Sequence, residues 1–210
     1  MSSADRDQII RSIIKMEERI NQCSRCESIS PCTLRPSLGK GDLRPAVVMV
    51  FECENTFTAD TQRIINLINE IKAGFNIEGV YYTFMVRCHP KACNNRLGNS
   101  YMLKGKMLDS NNNCRLSNRS CDGISIKPED REIMNCLTFL VEEVEVLRPD
   151  YVILFGDQVS RYVLKAFGYH QSDWHDQSYK YDYRTFISTV EEKLFKRQHL
   201  DRILGYINQR

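Results

Sequence analysis

Two hydrophobic periodicities alternate along this chain. Near the N terminus Ile9, Ile10, Ile13, Ile14 and Ile20 recur at helical spacing, which predicts an amphipathic helix over about residues 5–21 with its apolar face inward. Four short apolar runs rich in β-branched and aromatic residues, at 46–51, 80–86, 151–155 and 185–189, predict strands buried on both faces, the usual pattern of parallel strands. Helical spacing marks 60–73, 128–147, 157–167 and 193–207 between and after them. Pro128 at a helix start and Pro149 just past a helix end set two boundaries, because proline lacks the N–H that a helix interior requires. Strand–helix alternation of this kind implies right-handed crossovers, an α/β fold, and functional loops at the carboxyl ends of the strands.

One stretch breaks the rhythm. From 91 to 126 the chain is polar, rich in Asn, Ser and Gly, and carries Lys104, Lys106, Arg115 and Arg119. It reads as a long insertion in a single domain spanning 1–210, and loops of that length inside compact domains are functional or solvated excursions.

Composition narrows the class. With 210 residues, 42% hydrophobic and 27% charged, the chain can bury one substantial core. Its net charge of +2 is too small to indicate a polyanionic partner by itself, so any such partner must be met by a local basic face. No apolar run is long enough to cross a bilayer, and residues 1–20 are charged and helical, not signal-like. The nine cysteines, an odd number, fit a reducing cytoplasm better than a disulfide framework, so a cytoplasmic location without membrane contact is expected. No motif predicts a protein partner.

Four of those cysteines stand in ligand-like contexts. Cys23 and Cys26 form Cys-x-x-Cys, where one backbone turn can aim two thiolates at one centre. Cys88 follows the second apolar run in Met85-Val86-Arg87-Cys88-His89-Pro90, and Cys136 lies in the helical stretch Arg131-Glu132-Ile133-Met134-Asn135-Cys136-Leu137. Four thiolates complete either a cubane iron cluster or a tetrahedral zinc site, and spacing does not choose between them. Cys93, Cys114 and Cys121, with His89, are a candidate second metal site in the insertion.

The surroundings of these cysteines resemble the iron–sulfur (family 4) uracil-DNA glycosylases at several separate places. A helix leads into Cys23-x-x-Cys26, a strand ends in the acidic turn at Phe51-Glu52, and the segment through Arg87-Cys88-His89-Pro90 is similar to the family's Lys-Cys-Arg-Pro, with Asn95-Arg96 where an Asn-Arg pair usually follows. The block from Pro128 to Leu140 that leads into Leu147-Arg148-Pro149-Asp150-Tyr151-Val152-Ile153-Leu154-Phe155-Gly156 is the closest match. The resemblance implies a three-layer α/β/α sandwich around a central, mostly parallel four-stranded sheet. It also implies DNA as partner and a [4Fe–4S] cluster on Cys23, Cys26, Cys88 and Cys136 acting as a structural staple, with zinc as the alternative. In the family the third and fourth cluster cysteines are much closer in sequence, so the insertion would emerge beside the cluster and could meet DNA.

Where the family carries its catalytic motifs, this chain departs. Gly-Glu-Ala-Pro-Gly is replaced by Phe51-Glu52-Cys53-Glu54-Asn55, which keeps only the Glu; the strand Asn that reads uracil is Phe84; and the His-Pro of the last motif falls on Val190-Glu191. A phenylalanine cannot make the paired hydrogen bonds that separate uracil from cytosine. Base excision needs a flipped nucleotide, a carboxylate or positioned water facing an oxocarbenium-like sugar, and donors for the departing base. Glu52, Glu54, Asn55 and Glu191 are therefore the candidate catalytic groups, with Glu192 beside them and Asp60 as a further acid or a helix cap. Phe57, as a replacement stacking ring, Phe84 and His175 are the candidate substrate contacts, whereas His170 and His199 read as surface or satisfied histidines.

The expected activity is hydrolytic excision of a modified or non-standard base, a bulky pyrimidine, with a hypermodified base of invading phage DNA, and hence antiviral defence, as one setting. The alternatives are a non-catalytic iron–sulfur DNA-binding protein on the same fold and a uracil-repair glycosylase; a redox-active cluster protein without a nucleic-acid role ranks below them.

Overall fold

The computed structural model describes residues 3–26, 35–92, 113, 124–170 and 177–208. Along the chain run α1 (Ser3–Asn21), β1 (Lys40–Gly41), β2 (Val47–Phe51), α2 (Thr61–Phe75), β3 (Val80–Phe84), β4 (Lys91–Ala92) and β5 (Ile124–Ser125). They are followed by α3 (Asp130–Leu147), β6 (Tyr151–Phe155), α4 (Asp157–Ala166), β7 (Ser178–Tyr181), β8 (Arg184–Thr189) and α5 (Arg197–Asn208).

The four expected strands form the parallel centre of the sheet in the order β3-β2-β6-β8. Two short strands that the apolar pattern does not reveal, β1 and β7, add antiparallel edges and make the sheet six-stranded. Neither shows an apolar run: β1 is Lys-Gly and β7 is Ser-Tyr-Lys-Tyr, of which only Tyr179 is buried. Edge strands face water on one side and need no apolar run, so such a pattern cannot mark them.

The period-two alternation within each central strand divides the core in two. Val48, Val50, Val152 and Leu154 face α1, α3 and α4, whereas Val47, Met49, Phe51, Ile153 and Phe155 face α2 and α5. Each such side chain is fully buried and contributes about 1.5–3 kcal/mol, so the sheet holds both helical layers. The fold is thus α/β, with helices on both faces of a mostly parallel sheet. On α1 the stripe that packs inward is Ile13, Met16 and Ile20; Ile14 lies off it and is 49% exposed, against the expectation that it faces the core.

Helix ends follow local chemistry. Asp60 caps α2, its carboxylate accepting from the backbone N–H of Gln62 and Arg63 at 3.0 and 3.2 Å, and Glu132 in the first turn of α3 accepts from the Glu129 N–H at 2.7 Å. The ends of the expected insertion are brought together, because β4 pairs antiparallel with β5 as a separate two-stranded ladder. Most of the insertion, including Cys93, Cys114 and Cys121, lies outside the described residues, so the candidate second metal site does too. Among the described residues no helix is long and apolar enough to cross a membrane.

A buried polar network locks α3 to the end of β3. Glu143 and Arg87 form an ion pair with side chains 1% and 2% exposed, and Glu143 also accepts from the Tyr81 hydroxyl at 2.7 Å and from Thr83 Oγ1. Gly39 closes over this network: a Cβ there would stand 2.2 Å from the Tyr81 hydroxyl oxygen and 2.6 Å from a Glu143 carboxylate oxygen. Removing one partner of a buried pair strands the other charge. Glu143→Ala is therefore expected to lower unfolding stability by about 3–5 kcal/mol in urea titrations followed by circular dichroism; a loss below about 1 kcal/mol would show that the pair does not hold α3 in place.

Candidate active site

The loop after β2 separates two cavities. On one side, at the carboxyl ends of β2, β6 and β8, a cleft of about 450 Å³ is lined by Glu52, Asn55, Lys127, Gly156, Glu191 and Glu192, among others. Ligands of open α/β sheets bind at this end of the strands. Burial is the main cause that raises the Glu52 carboxyl above its usual range, helped by Glu191 and Glu192 and opposed by Lys127. Lys127 donates to Glu191 Oε1 at 2.8 Å.

Asn55 organises the floor of the cleft. Its Oδ1 accepts from the backbone N–H of Phe57 at 2.8 Å and of Thr58 at 3.2 Å, an Asx-type turn that reverses the chain after the strand. Its Nδ2 donates to Oε1 of the buried Glu192 at 2.7 Å, joining the β2 loop to the β8 loop. Gly156 has φ of 93°, and a Cβ there would lie 3.1 Å from Glu191 Cγ, so a glycine both makes the turn after β6 and leaves room for that glutamate.

The other cavity, about 840 Å³, lies between the β2 loop, α2 and β3 and takes in Ser37, Lys40, Glu54, Tyr82, Phe84 and His89. Glu54 Oε2 accepts from the Ser37 hydroxyl at 2.6 Å and lies 3.4 Å from His89 Nε2. The hydrogen bond from His89, then that from Ser37, hold the Glu54 carboxyl down at about 2 against the opposing effect of burial.

The four singled-out cysteines line a third, small cavity together with Ile20, Pro36, Val86, Arg87, Asn135 and Phe139. Three of the sulfurs are met by N–H groups: Arg25 Nε points at Cys23 Sγ at 3.3 Å, the Arg87 backbone N–H at Cys136 Sγ at 3.3 Å, and Asn135 Nδ2 at Cys26 Sγ at 3.7 Å. The Cys-x-x-Cys loop is docked on α3, since Arg25 stacks over Phe139 at 4.4 Å and its carbonyl accepts from Asn135 at 3.1 Å. Burial raises the thiols of Cys26 and Cys136. Two donors of the buried Arg87 guanidinium, Nε and Nη1, have no partner among the described residues. No group of three or more His, Cys, Asp and Glu side chains among the described residues is arranged as around a bound ion; the four cysteines are spread around their cavity.

The expected catalytic set is thus divided. Glu52, Asn55 and Glu191 share the first cleft, Glu54 and Phe84 belong to the second cavity, and Phe57 lines neither, packing against the α2 side of the core with Arg63 over its ring. Phe84 is 3% exposed and forms part of that core as well as the cavity wall. His175 lies outside the described residues. His199 is buried with Nδ1 accepting from the Lys196 N–H at 3.0 Å, a structural role, and His170 is exposed. Lys127 and Ser37 were not legible as site residues, because each reaches its partner across at least 17 residues of sequence. The only sequence signal for Lys127 is its place just before Pro128 and α3.

A mostly parallel α/β sheet with a carboxylate-lined cleft at the carboxyl ends of its strands defines the class of open-sheet α/β proteins that bind ligands at that end. The particular family follows from the chain's match to the model of the uracil DNA glycosylase superfamily over residues 52–204, to which the chain therefore belongs. That family implies DNA binding and DNA glycosylase activity in general. The match begins at Glu52 and so excludes Cys23 and Cys26. No curated protein matches the chain.

Because Asn55 touches Glu192, Asn55→Asp places two carboxylates at hydrogen-bonding distance and removes a donor. Their mutual repulsion raises the folded-state pKa, so the penalty is absent where both are protonated and grows as pH rises through the carboxylate range. Melting temperatures of the variant and the parent should accordingly converge below the unfolded carboxylate values, at about pH 3, and separate by about pH 7; parallel curves would show that Asn55 and Glu192 do not interact.

Proposed function

We propose that this protein is a DNA glycosylase that removes a modified or non-standard base, a bulky pyrimidine, by hydrolysing its N-glycosidic bond, and that its cysteines hold a [4Fe–4S] cluster. The observation that carries the reading is the cleft at the carboxyl ends of β2, β6 and β8, where Glu52, Asn55, Glu191 and Glu192 converge within a glycosylase-family domain. In the reaction the bond between C1′ and the base nitrogen breaks with its electron pair leaving on the base. Water adds to C1′ and releases a proton that replaces the one given to the base, and the products are a free base and an abasic site. Glu52, with its proton affinity raised by burial, suits proton donation to the departing base. Glu191 and Glu192 would offset the positive charge that develops on the sugar, with Asn55 fixing Glu192.

The substrate assignment rests on Phe84 at the strand position that reads uracil in the family. Its ring is apolar and packed into the core, so it offers no hydrogen bond to a uracil edge. A hypermodified base of invading DNA is the setting that fits such a change, which makes defence the proposed biological role. The cluster assignment rests on the cysteine cavity. Three sulfurs receive N–H donors, one of them the backbone N–H of Arg87, as thiolate ligands do, which suits a group of net negative charge. Such a cluster would serve as a staple between the end of α1, the end of β3 and α3; zinc on the same thiolates is the alternative.

A second reading, a DNA-binding protein that has kept the fold without the chemistry, is favoured by one observation: among the described residues no histidine lines the cleft. Base release decides between them. Anaerobically purified protein is expected to release one base from duplex or single-stranded DNA carrying uracil, hypoxanthine, hydroxymethylcytosine or glucosylated hydroxymethylcytosine, and Glu52→Gln should slow that release at least about a hundredfold. Intact DNA binding with no release from any substrate would establish the non-catalytic reading. Iron and acid-labile sulfide should be present at about four per chain and be lost in Cys136→Ser; zinc in their place would overturn the cluster.

A further inference from the structure

Ser37, Glu54 and His89 come from three separate segments and meet at one carboxylate oxygen. Both contacts to Glu54 fall on Oε2, and Oε1 has no hydrogen bond among the described residues. The Ser37 hydroxyl donates to Glu54 Oε2 at 2.6 Å, and His89 Nε2 lies 2.8 Å from the Ser37 oxygen and 3.4 Å from the same carboxylate oxygen. Glu54 is thereby held from two sides in one orientation, ionised and able only to accept. Ser37 is itself 6% exposed and fixed through its N–H, which donates to the Arg87 carbonyl at 2.7 Å. Tyr82 and Phe84 supply aromatic wall to the same cavity, in edge contact at 6.0 Å, and Lys40 stands at it as a cation. A fixed acceptor beside aromatic surface and a cation matches a nucleotide: a flat ring, a donor on its edge and a phosphate.

We infer that this cavity is a base-reading pocket for an amino-bearing nucleobase, in which Glu54 accepts the exocyclic amine and Ser37 and His89 position it. Cytosine and adenine carry such an amine, whereas uracil and thymine present a carbonyl that would face the carboxylate acceptor to acceptor. About 840 Å³ also leaves room for a substituent on the ring. The pocket therefore selects against the base for which the family is named. The inference rests on the glycosylase reading only in taking DNA as the carrier of the base.

Fluorescence anisotropy with oligothymidine strands bearing one central dC, dA or dU tests this on the whole chain without any excision step. The wild-type protein is expected to bind the dC or the dA strand about tenfold more tightly than the dU strand, and the two arms tell which amine is read. Glu54→Gln, whose amide can donate to a carbonyl, should erase or invert that preference, and Ser37→Ala, which leaves the carboxylate in place but unfixed, should reduce it. Equal affinity of the wild type for all three strands, or a preference unchanged in a folded Glu54→Gln, would overturn the pocket. A Glu54-dependent preference without base release from any substrate would uphold the pocket and sink the glycosylase reading. Base release with discrimination unaffected by Glu54 would do the reverse.

Discussion

The ion pair between Arg87 and Glu143 is the constraint around which the rest of this structure is arranged. Both charges are withdrawn from water, and a buried charge is tolerated only with a partner and hydrogen bonds. Glu143 obtains those from Tyr81 and Thr83 on β3, so α3 is held against one strand at one height. Two of the three cavities are hung from that junction. Arg87 lines the cysteine cavity and sends its backbone N–H to Cys136, while its carbonyl accepts from Ser37 in the second cavity. Cys88 and His89, the next two residues, go to those two places in turn.

The cysteine cavity and the glutamate cavity are therefore neighbours by construction, and Pro36 lines both. A group bound by the cysteines would brace the segments that carry Ser37 and His89, since both leave the cavity wall by one residue. A structural role for such a group is then compatible with an effect on recognition, with no electron transfer involved.

The loop after β2 assigns two carboxylates to different tasks. Glu52 and Glu54 are two residues apart, yet burial pushes the first carboxyl up and hydrogen bonding holds the second down at about 2. Pairs of acids driven in opposite directions by their surroundings mark divided acid and acceptor roles. Here the division is also spatial, because the turn made by Asn55 separates the cleft of Glu52 from the cavity of Glu54.

What the sequence determined by itself was whatever depends on neighbours along the chain. The four central strands, the helices between them and the family resemblance were all legible, since period-two and period-3.6 burial and local motifs are properties of short segments. Asp60 as a cap belongs to the same class. The four cysteines, which the family resemblance implies as one set, line one cavity across 113 residue positions, from Cys23 to Cys136. Only the tertiary structure decided the edge strands β1 and β7, whose few, half-wet residues carry no apolar signal. It alone parted Glu54 from Glu52 and brought Ser37, Lys127 and His89 to their partners. Hydrogen bonds at 2.6–2.8 Å between segments 17 to 64 residues apart are fixed by how strands and loops pack in three dimensions, and nothing in the local order of residues encodes them.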